Sequence, residues 1–471
     1  MKLGFAASGL GLLLALAACS STVSPPQPPV QQVEPTRPAE IRVGLMLPLS
    51  GAAADLGQDM LQAAEMALFD VGPNDVVLLP RDTRGTPEGA RLAANGLVAE
   101  NVEVIIGPLF SQAVQATSPI AQSADIPVLA FSNSAAVATD ETYLLGFRPE
   151  EQVVRVVRFA LEHVQRRPDV ERFQPEGFPL TEQGTATGQA EDLFGLRGPV
   201  RIAGLAPNDA YGTTALQALR RAVIQGGGEL AATAFYPPDL ADPSSVVRQV
   251  ADFDARHAAL EAERRRLEAL DDEASKRALQ RLETLDTLGA PPFDAILIAD
   301  GGDRLRSVAS LLTFYDVDPA QIRFLGTMRW QDDPLVLEEA ALREGWFAAL
   351  PPETMNAFRN RYQTAFGTQP QQLAALAYDA TALAVIVARD LGDRDFSQLN
   401  LTNPEGFSGA TGLFRLRADG LADHGLAILE VDGAATRTID PAPSSLVDQL
   451  ALQQAPFTTP SSPAVPAGSA Q

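Results

Sequence analysis

The chain has 471 residues, which is more than one hydrophobic core usually serves, so two lobes or domains are expected. Its formal net charge of −23 argues against a nucleic-acid partner and against binding to an anionic membrane through a basic patch. With three histidines and one cysteine there is little material for a transition-metal site, and we expect neither a metal nor a cofactor.

The first 18 residues have the layout of a cleavable secretion signal. Lys2 supplies a positive charge, and the apolar run that follows at 10–18 is too short for a membrane-spanning helix, which needs about 20 residues. The run ends in Leu-Ala-Ala directly before Cys19, where small residues suit a peptidase groove and a thiol can carry a lipid. This arrangement resembles a bacterial lipoprotein signal.

Cys19 is the only cysteine in the sequence, so it can form no internal disulfide in an oxidising compartment. We therefore predict that Cys19 is lipidated and that this anchor is the chain's only link to a membrane. The alternative is an ordinary signal peptide with an incidental cysteine. Ser20 follows the cysteine, as in lipoproteins that are sorted to the outer membrane, so the expected location is the periplasm, at the outer membrane.

Two segments are too poor in large apolar residues to form a core. Residues 19–40 are rich in proline, serine and glutamine, which predicts an extended tether. Residues 441–471 have a similar composition and predict a disordered tail.

Between these segments, short apolar strands alternate with helical stretches. Residues 41–47 are apolar and β-branched, which predicts a buried strand, and 55–70 has the periodicity of a helix. The alternation continues to 131 and returns over 200–325, as is typical of βαβ units on a parallel sheet. Two such blocks predict an α/β fold of two doubly wound lobes. A ligand would bind between them, at the carboxyl ends of the strands.

Residues 252–288 interrupt this alternation with a highly charged helical pattern. Leucines recur at spacings of three and seven, with Glu and Arg between them, at 260, 267, 270, 279, 282, 285 and 288. Asp271 and Asp272 predict a turn in the middle, so the segment is expected to form a projecting helical hairpin. It is either a solvated excursion that packs on itself or a docking surface for another protein.

Five short motifs occur in a fixed order along the chain. They are Pro-Leu-Ser-Gly at 48–51, Arg-Asp-Thr at 81–83, Ile-Gly-Pro-Leu at 106–109, Asn-Asp-Ala-Tyr-Gly at 208–212 and Gly-Ala-Thr-Gly at 409–412. Together they resemble the type I periplasmic binding proteins, the leucine/isoleucine/valine-binding kind, over roughly 41–432.

This resemblance implies how the lobes are assembled, because that family threads its chain between lobes several times around a hinge. One lobe is expected from 41–148 together with 350–415. The other is expected from 149–349, which includes the helical insertion, together with 416–440.

The resemblance also implies candidate ligand-binding residues. In the amino-acid binders, the segments after two neighbouring strands hold the ligand's α-carboxylate, and they correspond here to Ser111 and to Ser132, Asn133 and Ser134. Ser111 is also a natural helix N-cap, and free N–H groups at a helix N-terminus bind anions as well. Tyr211 matches a tyrosine of the second lobe that faces the cleft.

The amino-acid binders pair the ligand's ammonium with an acidic residue, and this chain has Met328 at the corresponding place. A buried ammonium without its carboxylate costs several kcal/mol. Asp300 or Asp303 could substitute. We expect poor binding of free amino acids, and the candidate ligand is a small anionic or zwitterionic molecule.

The sequence has no motif for catalysis or phosphate binding: Gly-x-x-x-x-Gly-Lys, Gly-x-Ser-x-Gly and His-Glu-x-x-His are all missing. We therefore expect a protein that is not an enzyme.

The lipoprotein signal, the charged insertion before Pro-Pro-Phe-Asp-Ala-Ile at 291–296 and Gly-Thr-Met-Arg-Trp at 326–330 resemble the penicillin-binding-protein activators. Those outer-membrane lipoproteins stimulate a peptidoglycan synthase. The first hypothesis is thus a regulator of peptidoglycan synthesis whose partner is a class A penicillin-binding protein. The second is the solute-binding component of an ABC transporter for branched-chain or other amino acids.

Overall fold

The computed structural model describes residues 40–72, 76–164, 198–239, 242–270, 272–331, 333–390 and 395–447. The predicted signal, Cys19 and most of the predicted tether and tail lie outside these residues.

The first block of the chain forms a five-stranded parallel sheet. Its strands are β1 (Ile41–Leu47), β2 (Val76–Asp82), β3 (Val104–Ile106), β4 (Val128–Ala130) and β5 (Thr142–Leu144). They lie in the order β2-β1-β3-β4-β5. Three helices connect the first four strands: α1 (Ala54–Val71), α2 (Pro87–Ala99) and α3 (Ser111–Gln122).

Both faces of this sheet are buried, which explains its nearly continuous apolar strands. Leu45 belongs to one hydrophobic core, whereas its neighbour Met46 belongs to the core on the opposite face, with α2 and α3. Alternate side chains of one strand thus serve two helical layers.

The second block builds the parallel part of a larger sheet. Its strands are β6 (Arg201–Pro207), β7 (Glu229–Tyr236), β8 (Ala295–Ile298), β9 (Arg323–Gly326) and β10 (Trp346–Ala349). The helices of this block are α4 (Pro149–His163), α5 (Ala210–Gln225), α6 (Pro243–Val250), α7 (Phe253–Leu270), α8 (Glu273–Leu282), α9 (Gly302–Phe314) and α10 (Pro334–Leu337). Short 3-10 turns lie at Ala135–Val137, Met328–Trp330 and Ala340–Leu342.

The remaining elements complete both lobes. Helices α11 (Pro352–Phe366) and α12 (Ala374–Asp390) return to the first sheet, where α12 packs along α1, and α13 (Gln398–Leu401) follows. The strands β11 (Phe407–Gly409), β12 (Gly412–Leu416) and β13 (Ala422–His424) form a small antiparallel sheet. The last strands, β14 (Ala427–Asp432) and β15 (Ala435–Asp440), join the larger sheet, in the order β15-β14-β10-β9-β8-β6-β7.

The predicted fold of two doubly wound α/β lobes is confirmed. Two details of the expected boundaries differ. The boundary at 415–416 falls inside β12, because this part of the chain is an antiparallel meander without a linker. The predicted tail from 441 begins with packed residues: Leu446 is fully buried and its carbonyl accepts a hydrogen bond from Arg415 at 3.3 Å.

The insertion contains two helices, α7 and α8. Leu260 and Leu267 are buried, whereas Leu270 and Leu285 are exposed, so only part of the leucine pattern is used for packing. Asp272, at the predicted turn, caps α8 by accepting a hydrogen bond from the Ser275 N–H at 2.7 Å. Asp271 lies outside the described residues.

The base of the insertion is fastened by one buried side chain, Arg256. Its guanidinium donates to the carbonyls of Ala251 at 3.3 Å and Gly289 at 3.1 Å, on either side of the insertion. It also donates to the Thr287 hydroxyl at 2.8 Å and pairs with Asp316 at 3.3 Å. A single cation therefore ties both ends of the insertion to the second lobe.

Candidate functional site

A cleft of about 400 Å³ lies between the two lobes. Its walls are loops at the carboxyl ends of β3 and β4 on one side and of β6 and β9 on the other. Ligands of open α/β sheets bind at such strand ends, where neighbouring loops diverge. Residues from both lobes line it: Leu56, Leu109, Phe110, Phe131, Asn133, Phe147, Gln152, Tyr211, Met328, Arg329, Gln372 and Leu373.

The wall contributed by the first lobe is largely apolar. Leu109 follows β3 and Phe131 follows β4, and both belong to the hydrophobic core beneath them, as does Phe147. Phe110 remains 42% exposed. Because core side chains are held by close packing, this wall presents a fixed apolar surface to a ligand.

A polar side chain of the first lobe reaches the cleft from the turn after β4. Ser132 is buried, and its hydroxyl accepts a hydrogen bond from the Ser134 N–H at 3.2 Å, which closes a local turn. Asn133, between the two serines, is exposed and lines the cleft. The turn therefore directs Asn133, rather than the serines, toward a ligand.

The wall contributed by the second lobe is built on Tyr211 and Arg329. Tyr211 lies in the first turn of α5, which is capped by Asp209 through the Gly212 N–H at 2.7 Å. The Tyr211 hydroxyl donates to the Thr327 hydroxyl oxygen at 2.9 Å. The Arg329 guanidinium lies 3.6 Å from the centre of the Tyr211 ring, a cation–π contact that orients both groups.

The turn that carries Arg329 is rigid. Trp330 is fully buried and lies against Gly326, where an added Cβ would be 2.2 Å from the indole, so the motif requires glycine there. The Met328 N–H donates to the buried amide oxygen of Gln152 at 3.0 Å. Arg329 is thus presented from a backbone that is held on both sides.

Asp300 is fully buried and lies behind Arg329. Its carboxylate accepts two hydrogen bonds from Arg304, both at 2.7 Å, and others from the Tyr236 hydroxyl at 2.8 Å and the Gly301 N–H at 2.9 Å. Arg329 makes only a longer contact with it, at 3.4 Å. Both carboxylate oxygens are therefore already engaged by protein groups.

Burial and these contacts shift the pKa values of Asp300 and Tyr211. Burial raises the pKa of Asp300, but the hydrogen bonds from Arg304 and Gly301 lower it by more. The pKa of Asp300 therefore lies below its ordinary value. Burial raises the pKa of Tyr211, and the neighbouring charge of Arg329 only partly opposes this. Asp300 is ionised and Tyr211 is a neutral hydrogen-bond donor at neutral pH.

The structure brings two of the sequence-predicted ligand residues, Asn133 and Tyr211, to the cleft. Ser132 and Ser134 form the turn that carries Asn133. The Asp300 carboxylate is paired with Arg304. Ser111 is the first residue of α3 and not its N-cap: that position is Phe110, and no side chain caps the helix. The expected capping role is wrong because the helix begins one residue earlier than predicted.

Sequence reasoning missed three polar residues of the cleft, Gln152, Arg329 and Gln372. Arg329 was visible as a charged residue directly after Met328, at the end of a predicted strand. Gln152 and Gln372 carry no such signal, because they come from the start of α4 and from the segment before α12.

An ionic cluster lies where the chain passes between the lobes. Arg148 is buried and pairs with Glu151 at 2.7 Å. Glu151 also accepts a hydrogen bond from the backbone N–H of His424 at 3.0 Å, and its carboxylate is 3.1 Å from the His424 ring nitrogen. The start of α4 is therefore linked to β13 by buried charges.

Three of the five motifs form or hold backbone turns. Asp82 in Arg-Asp-Thr accepts hydrogen bonds from the Ser50 N–H at 3.2 Å and from its hydroxyl at 2.6 Å, which holds the Pro-Leu-Ser-Gly turn. Asp379 is completely buried and accepts from the N–H groups of Ala410 at 2.6 Å and Thr411 at 2.9 Å, in the Gly-Ala-Thr-Gly turn. These motifs fix turns and do not reach the cleft.

Among the described residues, no group of three or more His, Cys, Asp or Glu side chains is arranged to hold a metal ion. No helix in that part of the chain is both long and apolar enough to cross a membrane.

Comparison with known families agrees with the fold. A family model described as periplasmic binding protein matches residues 40–436. An uncharacterised protein of Rickettsia prowazekii (strain Madrid E) is 28% identical over 125 residues, which are 26% of this chain and 33% of that protein. The match spans about a third of that relative's length.

Solved structures with the same architecture include transporter binding proteins of several bacteria. A putative branched-chain amino acid ABC transporter protein from Rhodospirillum rubrum has a TM-score of 0.62 at 17% identity, over 85% of this chain and 100% of that one. A branched-chain amino acid binding protein of Streptococcus pneumoniae in complex with isoleucine has a TM-score of 0.51 at 16% identity, with coverages of 85% and 100%.

A solute-binding protein of Rhodopseudomonas palustris BisB5 in complex with 3,4-dihydroxybenzoic acid has a TM-score of 0.54 at 16% identity, covering 86% of this chain and 98% of that one. At such identities the likeness is one of fold. The resemblance to type I periplasmic binding proteins is confirmed, whereas the resemblance to penicillin-binding-protein activators stays a prediction.

Proposed function

Because the chain belongs to the periplasmic binding protein family, we propose that it is a solute-binding protein that captures a small organic molecule between its lobes. The observation that carries the proposal is the cleft itself. It is mostly apolar, contains a few fixed polar groups and has a volume of about 400 Å³, within the range of small-molecule sites.

The arrangement of the walls supports this proposal. Each wall is held in place: Phe131 belongs to a hydrophobic core, and Arg329 lies on a turn whose backbone is bonded to Gln152. A ligand that contacts both walls stabilises the closed arrangement of the lobes, which is how two-lobed binding proteins trap their ligands.

The similar solved structures support solute binding better than regulation of peptidoglycan synthesis. Their names describe binding proteins of transporters, with ligands such as isoleucine and 3,4-dihydroxybenzoic acid. The first hypothesis rests on a resemblance, on Met328, on the helical insertion and on the predicted lipid anchor.

We also propose that the protein acts in the periplasm and is attached to the outer membrane by a lipid on Cys19. The support is the sequence before Cys19 and the family of the folded part. In this arrangement the Pro-rich residues 19–40 would hold the binding protein at a short distance from the membrane.

The proposal is tested by calorimetry and thermal unfolding of the full-length protein in detergent. The probes are amino acids and small aliphatic and aromatic carboxylates. A ligand at 100 times its Kd should stabilise the folded protein by about 2.7 kcal/mol. If no member of the panel binds or raises the unfolding temperature, the proposal is wrong.

A pair of tryptophan variants locates the binding site. Asn133→Trp places an indole in the cleft from an exposed position and should abolish binding. Asn95→Trp is its control, because Asn95 is an exposed residue of α2 away from the cleft. Equal binding by both variants would show that the ligand binds elsewhere.

A further inference from the structure

The cleft contains a single charged side chain among the described residues that line it, Arg329. The other polar side chains of the lining are amides and the Tyr211 hydroxyl. The side chain of Arg329 is 37% exposed, whereas that of Asp300, the nearest carboxylate, has no exposed surface. A ligand therefore meets the guanidinium and not the carboxylate behind it.

Arg329 retains capacity to bind a ligand. A guanidinium has five N–H donors, and among the described residues Arg329 donates one hydrogen bond, the long contact of 3.4 Å with Asp300. Arg304 binds the same carboxylate with two bonds of 2.7 Å. Arg304 neutralises Asp300, so the outer donors of Arg329 remain for an acceptor in the cleft.

The guanidinium is also held in place before any ligand arrives. It stacks on the Tyr211 ring at 3.6 Å, and that ring is fixed by the Thr327 hydroxyl at 2.9 Å. A planar, preorganised guanidinium matches a carboxylate, which it binds through two parallel hydrogen bonds. Preorganisation removes part of the entropic cost of binding.

An ammonium group has no comparable partner among the described residues that line this cleft. The amide oxygen of Gln152 already accepts one hydrogen bond from the Met328 N–H, and no carboxylate lines the described part of the site. Near Arg329, a second cation would also be repelled. The rest of the lining, with Leu56, Leu109 and Phe131, suits an apolar ligand body.

We propose that Arg329 binds the ligand's carboxylate from the second lobe, and that the site takes small monocarboxylic acids with an apolar body and no amine. This inference rests on the proposed solute-binding function. It reverses the orientation expected from the sequence, in which Ser111 and the 132–134 segment of the first lobe would hold the carboxylate.

The test compares 4-methylpentanoate with leucine, which differs from it by the ammonium group alone. Titration calorimetry of the full-length protein should give an affinity for 4-methylpentanoate at least 100-fold above that for leucine. The neutral 4-methylpentanamide should bind at least tenfold more weakly than the acid. Benzoate serves as the aromatic probe and should bind as a carboxylate too.

Arg329→Gln should lower the affinity for 4-methylpentanoate at least tenfold and bring acid and amide to similar affinities. Arg265→Gln, at an exposed position of α7, is the matched control and should bind like the wild type. Unfolding temperatures of the wild type and of all three variants show whether each variant is folded. Arg329→Lys should restore part of the preference for the acid.

The outcomes separate this inference from the proposed function. Leucine binding as tightly as 4-methylpentanoate, or an Arg329→Gln variant with unchanged affinity for the acid, would overturn the role of Arg329 and leave solute binding intact. Absence of binding by the acids, the amide and the amino acids alike would overturn both.

Discussion

The amide of Gln372 donates a hydrogen bond of 3.2 Å to the amide oxygen of Gln331, and these two residues belong to different lobes. Gln331 follows the turn that carries Arg329, whereas Gln372 precedes α12 and lines the cleft. The bond therefore connects the lobes directly beside the proposed ligand.

Removing this bond should shift the lobes toward an open arrangement. Gln372→Ala deletes one neutral hydrogen bond, worth about 0.5–1.5 kcal/mol, and should weaken ligand binding by up to about tenfold. Small-angle X-ray scattering of the unliganded variant should give a larger radius of gyration. Gln369→Ala is the control, because it removes the Gln369–Gln363 bond of 2.6 Å within one lobe. Identical behaviour of the two variants would mean that the bond does not hold the lobes.

Asp379 should make the stability of the protein depend on pH. Burial raises its pKa from the ordinary 3.8 to about 6, although Ala410 and Thr411 donate to it. Since the folded state holds the proton more tightly, this contribution to stability is present below pH 3.8 and is lost as the pH rises through 6. The rise corresponds to about 3 kcal/mol.

The comparison with Asp379→Asn isolates this effect. The variant should be about 1–3 kcal/mol less stable than the wild type at pH 4.5, because its NH₂ group faces a backbone donor of the turn. Its disadvantage should shrink as the pH rises to 7. Denaturant unfolding at intervals of pH measures both free energies, and parallel curves for the two proteins would contradict the prediction.

Arg256 should be needed for the stability of the insertion's base. Arg256→Met removes the donor to the carbonyls of Ala251 and Gly289 and the cation that pairs with Asp316, and it should lower the free energy of unfolding by about 2 kcal/mol. Arg265→Met changes an exposed arginine of the same helix and should stay within about 0.5 kcal/mol of the wild type. Thermal and denaturant unfolding give the values. If the two variants are equally stable, Arg256 does not fasten the insertion.

Cys19 should determine attachment to the membrane. Cys19→Ser should remove the lipid, detected by mass spectrometry of the mature protein, and release the protein into the soluble periplasmic fraction. Ser20→Asp should keep the lipid and move the protein to the inner membrane, whereas Ser21→Ala should change neither. A Cys19→Ser protein that stays in the outer-membrane fraction would contradict lipid anchoring.

The fold was predictable because its signals are local. A few neighbouring residues are enough to predict the apolar strand 41–47 and the periodic helix that follows it. The alternation of such strands and helices predicts the parallel sheets. The end of the first lobe was harder to predict. Nothing local in 412–424 distinguishes a crossing between lobes from the small meander that the structure contains.

The site was predictable only in part, because it depends on contacts between residues far apart in the chain. Asp300 was a reasonable ligand candidate as an acidic residue after a strand, and only the structure shows that Tyr236, 64 residues away, and Arg304 already bind it. Arg329 directly follows Met328 in the sequence. Only the structure shows that its guanidinium lies over the Tyr211 ring, which orients it in the cleft.

The two ends of the insertion come together at the Arg256 guanidinium, which contacts the carbonyls of Ala251 and Gly289. Segments whose ends meet can be exchanged with little disturbance of the domain that carries them. A circularly permuted fluorescent protein could therefore replace the part of the hairpin between Arg256 and Thr287 without stretching the second lobe. Such a chimera would convert the binding protein into an optical sensor for its ligand.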